Sequence, residues 1–197
     1  MTITITRLFD TYDHAGLAVA DLDAAGIPQG DISLVANNAD DRVSSTVPAT
    51  HATDGAGAGA SIGTVLGGGA GLLAGLGMLA IPGIGPVVAA GWLVATAVGA
   101  AVGAVSGGLV GSLVGAGVSE KDAHVYAEGV RRGGTLVTVR AEDVMAATVT
   151  GILDRHHPVD AAARGEEYRA EGWSRFDETT QPYPNAPVRT TETTPML

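Results

Sequence analysis

The residues best equipped for acid–base or metal chemistry in this sequence are its five histidines and two carboxylate pairs. His156-His157, flanked by Asp154 and Asp160, is the one local cluster. Adjacent residues on a helix point about 100° apart, so this pair does not chelate a single metal from a regular helix. The pattern instead predicts a solvated helix terminus, where an imidazolium near the carboxyl end is electrostatically favoured. His14, His51 and His124 are scattered, and His124 falls in the first turn of a predicted helix. Asp40-Asp41 and Glu166-Glu167 lack a neighbouring base or apolar pocket in the pattern and read as solvated acidic surface.

Other site chemistries are absent from the sequence pattern. The chain has no cysteine, which excludes disulfides, thiolate catalysis and Cys-based metal sites. Its many glycines do not form a GxxxxGK[ST] loop, no G-x-G-x-x-G opens a helix after a strand, and there is no GxSxG. The sequence therefore predicts a non-enzymatic protein with no cofactor, no metal site and no evident small-molecule substrate. The formal net charge of -10 argues against a nucleic-acid partner and against simple electrostatic docking on anionic lipid. The opening MTITITRLFD does not have the basic-then-apolar order of a signal peptide, which leads to the expectation of a cytoplasmic amino terminus.

Charge divides the 197 residues into three parts: scattered charges up to Asp54, none from Gly55 to Ser119, and charges again from Glu120. In the first part, Thr2 to Phe9 alternates as a strand. A helix follows, capped by Thr11 or Asp13, with Ala15, Val19 and Leu22 on one face and Gly26 ending it. Asp31 to Ala36 is a second strand. In the third part, Ser119 and Asp122 form a capping box for a helix with Ala123, Tyr126, Ala127 and Val130 on one face. Thr135 to Arg140 has the apolar run of a strand covered on both faces. Glu142 to His156 is a helix, and Pro158 to Ala161 a short last strand. The predicted architecture is an α+β, ferredoxin-like α/β sandwich split by a long glycine-zipper helical hairpin. Its parts are a first half-domain (1–36), a flexible linker (37–54), the Gly/Ala-rich hairpin (55–118), a second half-domain (119–164) and a polar, largely disordered tail (165–197).

The hairpin reading rests on spacing. Gly55, Gly59, Gly63, Gly67, Gly71 and Gly75 recur every fourth residue, and Gly99, Gly103, Gly107, Gly111 and Gly115 resume the interval, with Gly91 and Ala95 in step. On helices this makes a side-chain-free stripe that lets two backbones approach closely. Each interior glycine costs roughly 1 kcal/mol relative to alanine in an exposed helix, so a register this long needs close packing to offset it. Pro82, Gly83, Gly85 and Pro86 supply the reversal, and Trp92 near the tip is the expected interface anchor. Each arm reaches the roughly 20 apolar residues of a membrane span. Two solvents suit such a hairpin. Insertion predicts a lipid bilayer partner, self-association, and an α/β domain held on the cytoplasmic side of a membrane. The alternative is a soluble cytoplasmic homo-oligomer with its hairpins packed in a common apolar core.

DTYDHAGLAVADLDAAGIPQGDISLV, AIPGIGPVVAAG and AHVYAEGVRRGGTLVTV, with EGWSRFD beyond them, together resemble the YflT-type general stress protein family. The resemblance covers most of Met1 to Asp177. It implies a bacterial stress-induced protein and carries over no catalytic residue.

Overall fold

Thr and Ile alternate along β1 (Thr2–Phe9), and the alternation divides its side chains between two cores. Ile3, Ile5 and Phe9 join one apolar cluster and Leu8 the other, as a two-residue side-chain period requires. In the computed structural model, residues 1–38, 77–81, 83–93 and 108–180 are described. Their strands β1, β2 (Ile32–Asn37), β3 (Gly77–Ile81), β4 (Gly85–Ala90) and β5 (Thr135–Glu142) form one antiparallel sheet in the order β1-β5-β2-β4-β3. Every pairing among them is antiparallel, and β1 runs its full length against β5, from Thr2↔Glu142 to Phe9↔Thr135.

The sheet is covered on both faces, giving a mixed α/β molecule in three layers. On the first face, α1 (Tyr12–Ala24) and α4 (Ala146–Arg155) bury Val19, Leu22, Val149 and Leu153 against Phe9, Leu34, Val137 and Val139. Thr11 caps α1 by accepting the His14 N–H at 3.3 Å, and Gly26 leaves it at φ +84°. On the second face lie α2 (Leu109–Gly115), α3 (Glu120–Arg131) and α5 (Ala161–Ala170). The Ser119 hydroxyl accepts the Asp122 N–H at 3.1 Å, the cap expected at the start of α3, and donates to the Asp122 carboxylate at 2.7 Å. The anticipated strand after α4 is reduced to one antiparallel bridge, Val159↔Leu8, on the outer side of β1.

The structure departs from the sequence expectation in the middle of the chain. The helical-hairpin reading carries its arms through Ile81 and from Val87; instead, these residues form the β3–β4 hairpin, and β4 pairs with β2. The cause is visible in the chain. Between Gly75 and Gly91 the four-residue glycine interval lapses, and two short apolar runs flank a Pro-Gly turn, which is a hairpin pattern. β2 also offers backbone groups that need partners, and β4 supplies them. Gly91, placed in the helical stripe by its spacing, ends β4 at φ +97°. A Cβ there would clash with the Ile32 carbonyl oxygen and lie 2.6 Å from Ser33 Cα.

A second departure lies after Arg164, where the sequence predicts a polar tail from residue 165. The helix α5 continues to Ala170, and Trp173 and Phe176 then fold back onto the second core. Three aromatic residues, Tyr168, Trp173 and Phe176, provide anchors within an otherwise charged segment, and Tyr168 and Phe176 are buried.

Gly91→Ala is expected to cost roughly 2–4 kcal/mol, combining positive-φ strain with a backbone clash. Gly115 ends α2, and a Cβ added there would meet nothing within 4 Å. Gly115→Ala should therefore leave stability unchanged or raise it by up to about 1 kcal/mol. Chemical denaturation of the two variants checks the contrast.

Candidate functional site

The surface that distinguishes this molecule is the seat where the uncharged stretch meets the sheet. Its entry is the turn joining β3 and β4. The Ile84 N–H donates to the Ile81 carbonyl at 3.0 Å, and Gly83 and Gly85 take φ +76° and +95°. Proline then glycine at the centre of such a turn is the sequence signature of a turn whose third residue has positive φ. Pro82 lies outside the described residues, whereas Pro86 is exposed at the start of β4.

Beneath the turn, Ile84, Val87, Leu93, Leu109 and Leu113 are all buried with Leu8 and Leu136 of the sheet and Val130 of α3. Burying aliphatic side chains of this size yields about 1.5–3 kcal/mol each relative to exposure. Phe176 closes the cluster from the carboxyl-terminal side, and Trp173 packs edge-on to Tyr168 with ring centroids 5.6 Å apart. The backbone then crosses the hairpin turn: a Cβ on Gly83 would lie 2.8 Å from Glu178 Cα. Only glycine at 83 permits both that crossing and the positive φ.

Trp92, expected as an interface anchor, is engaged by its own domain. Its indole N–H donates to the Asp31 carbonyl at 3.2 Å, and the Arg140 guanidinium lies 4.5 Å from the ring centroid. Arg140 is held in turn by the Asp31 carboxylate at 2.9 Å. This cation–π stack pins the end of β4 to the β2 and β5 side of the sheet.

A buried ionic network holds the far end of α3. Glu128 is 1% exposed, and its carboxylate accepts from Arg131 Nε at 2.8 Å, Arg131 Nη2 at 2.6 Å and Arg132 Nε at 2.6 Å. Arg132 also bonds Glu171 beyond α5 and lies 4.1 Å from the Tyr168 ring centroid. Burial lowers the Arg132 pKa, but the hydrogen bonds to Glu171 and Glu128 outweigh it and hold the group above its ordinary value. Asn37, at the end of β2, donates to the Val130 and Arg131 carbonyls at 3.1 and 3.2 Å. One network thus joins β2, α3 and α5 where the chain leaves the sheet. Nearby, Arg164 makes a two-pronged pair with Asp10 at 2.8 and 3.0 Å, which raises its pKa. Sequence reading missed Glu128; its local signal is the Glu128, Arg131, Arg132 spacing along one helix.

The histidines separate instead of converging. His156 Nε2 lies 2.9 Å from Asp21 Oδ2, whereas His157, at φ +55°, turns towards His14 with ring centroids 5.9 Å apart. Among the described residues, no group of three or more His, Asp or Glu side chains is arranged to hold a metal.

The glycine stripe is only partly within view. Gly59, Gly63, Gly67, Gly71, Gly75, Gly99, Gly103 and Gly107 lie outside the described residues. Gly111 is half-buried on α2 and Gly115 is exposed at its end. No helix among the described residues is long and apolar enough to cross a membrane. No protein-family model, curated protein or solved structure matches the chain.

Glu128→Ala should destabilise the fold by about 3–5 kcal/mol, because it leaves buried guanidinium groups without their counter-charge. Urea denaturation measures it. The phenols of Tyr12, Tyr126 and Tyr168 are pushed above 10.0 mainly by burial. Their folded-state pKa values exceed the unfolded ones, so their contribution is complete below about pH 10 and is lost as pH rises through the folded values. Melting temperature should therefore fall above pH 10, and Tyr126→Phe should make the fall shallower.

Proposed function

We propose that this chain is a non-enzymatic bacterial stress-response protein that self-associates through the glycine-spaced segments on either side of the β3–β4 hairpin, with protein rather than lipid as the solvent of its apolar stretch. The observation that carries this reading is the burial of Ile84, Val87, Leu93, Leu109 and Leu113, all from the uncharged stretch, in a core shared with the sheet. A segment destined for lipid would present such side chains outward. The stress context comes from the resemblance to the YflT-type family.

The same proposal reads the framework as ferredoxin-like, with the β3–β4 hairpin and α2 as parts of its insertion. Support comes from β5 lying between β1 and β2, Val159 bridging the outer side of β1, and α1 and α4 sharing one face. On this reading, the Glu128 network and the Trp92–Arg140 stack are fasteners that hold the insertion to the framework. The glycine-spaced segments are the working part: a stripe without side chains allows close backbone contact between helices.

A second reading, association with a lipid bilayer, is favoured by the complete lack of charge from Gly55 to Ser119. The two readings separate in one pair of measurements. Light scattering of the untagged chain in detergent-free buffer should give a multimer, and Gly67→Leu and Gly107→Leu should reduce its mass. Flotation with neutral phosphatidylcholine vesicles should leave the protein at the bottom of the gradient. A clean monomer that floats with vesicles would replace the assembly with the bilayer reading.

A further inference from the structure

We propose that the outer edge of β3 is a pairing surface for a second copy of this chain, joining two sheets antiparallel about a two-fold axis at Leu79. The ladders on either side of β4 fix the direction of the backbone groups of β3. The Asn38 N–H donates to the Pro86 carbonyl at 2.9 Å, so Pro86 faces β2. In an antiparallel ladder, residues directly opposite one another either bond each other or both turn away. Ala80 is opposite Pro86 and Met78 is opposite Val88, which is the next residue of β4 to face β2. Ala80 and Met78 therefore turn their N–H and C=O groups away from β4, towards the outer side of β3. Among the described residues, no strand lies beyond β3.

The two ends of the sheet are treated differently. The outer side of β1 is met by Val159, whose N–H donates to the Leu8 carbonyl at 2.7 Å, and β1 carries Arg7. Charges and covering segments are the usual means of blunting an edge. β3 has neither a charge nor a proline in Gly77–Ile81. Its place within the uncharged stretch also selects the occupant. Each copy has a formal charge of -10, and β3 lies in the one long part of the chain that brings no charge to a like-charged neighbour. With Leu79 opposite Leu79, Met78 of each copy meets Ala80 of the other, and every outward N–H and C=O on both edges finds a partner. This is a self-complementary contact of the kind closed dimers use. It goes beyond the glycine-stripe reading and stands independently of it, because it uses the backbone of β3.

The test uses the full chain. Ala80→Pro removes an outward N–H that the β4 ladder does not use, and edge strands tolerate proline. Size-exclusion chromatography with light scattering should show particle mass falling at least two-fold in Ala80→Pro, with the wild-type melting transition retained. Ala80→Val, which keeps the N–H, should preserve the wild-type mass. Amide hydrogen exchange at Met78 and Ala80 should be slow in the wild type and accelerate on dilution. Should Ala80→Pro lose its cooperative melt, Ala80→Lys decides, since a charge on the edge also blocks pairing. A wild-type mass in a folded Ala80→Pro or Ala80→Lys variant, or a monomeric wild type, overturns the proposal. A mass that falls in Gly67→Leu and Gly107→Leu but not in these Ala80 variants overturns the edge contact while upholding the stripe. The reverse pattern upholds the edge and removes the stripe. Exchange protection that persists at dilution would show a segment of the same chain on the edge, which also overturns it.

Discussion

The ladder between β1 and β5 is the interaction on which the other contacts depend. It pairs Thr2 with Glu142 and Phe9 with Thr135, closing a loop that contains the whole uncharged stretch. Loop-closure entropy grows only slowly with loop length, so even this long excursion is tolerable if both ends are well held. They are held by burial: Val137 and Val139 face one core and Leu136 the other, so β5 is covered on both sides. β2 pairs with the opposite edge of β5, and its other edge receives β4. The inserted hairpin is thus outermost in a row of strands that runs from β1 through β5 and β2.

The charged residues brace the junctions of this row of strands with its helices. Glu128, Arg131 and Arg132 are costly to bury, yet they lie where β2 ends, α3 ends and α5 returns. Buried ion pairs add little stability over apolar packing of the same volume, but mispairing them is expensive. The observed arrangement satisfies the Glu128 carboxylate, both guanidinium groups and the Asn37 amide together. Trp92 and Arg140 fix the other end of the insertion's strand in a similar way, through an aromatic face and the Asp31 carboxylate.

Much of the framework was legible in the sequence, because its signals are local. The Thr/Ile alternation, the Thr11 and Ser119 caps, the Gly26 stop and the apolar face of α4 each declare an element within a few residues. The β3–β4 hairpin was obscured by its neighbours. A four-residue glycine interval on both sides draws residues 77 to 90 into a helical pattern, although the interval lapses there and Pro82-Gly83 marks a strand turn equally well. Whether an apolar run becomes helix or strand depends on whether an edge awaits it, and the edge of β2 is set by pairings distant in sequence. The return of Phe176 was hidden because its partners come from remote elements. Although Glu128, Arg131 and Arg132 are neighbours on one helix, their links to Glu171 and Asn37 are remote as well. Of the glycine stripe itself, Gly111 and Gly115 lie among the described residues, together with Gly91, which ends a strand.

The β1–β5 ladder also has a consequence for biosynthesis. β1 and β2 are never adjacent; β5 lies between them, and it is the one strand paired along β1. At a translation rate of roughly 5–20 residues per second, β5 follows β2 out of the ribosome by about 5–20 s. Throughout that interval β1 has no strand to pair with, whereas β2, β4 and β3 already have one another. The β1–β5 ladder, and with it the two cores that β5 divides, therefore waits until synthesis has passed Thr135.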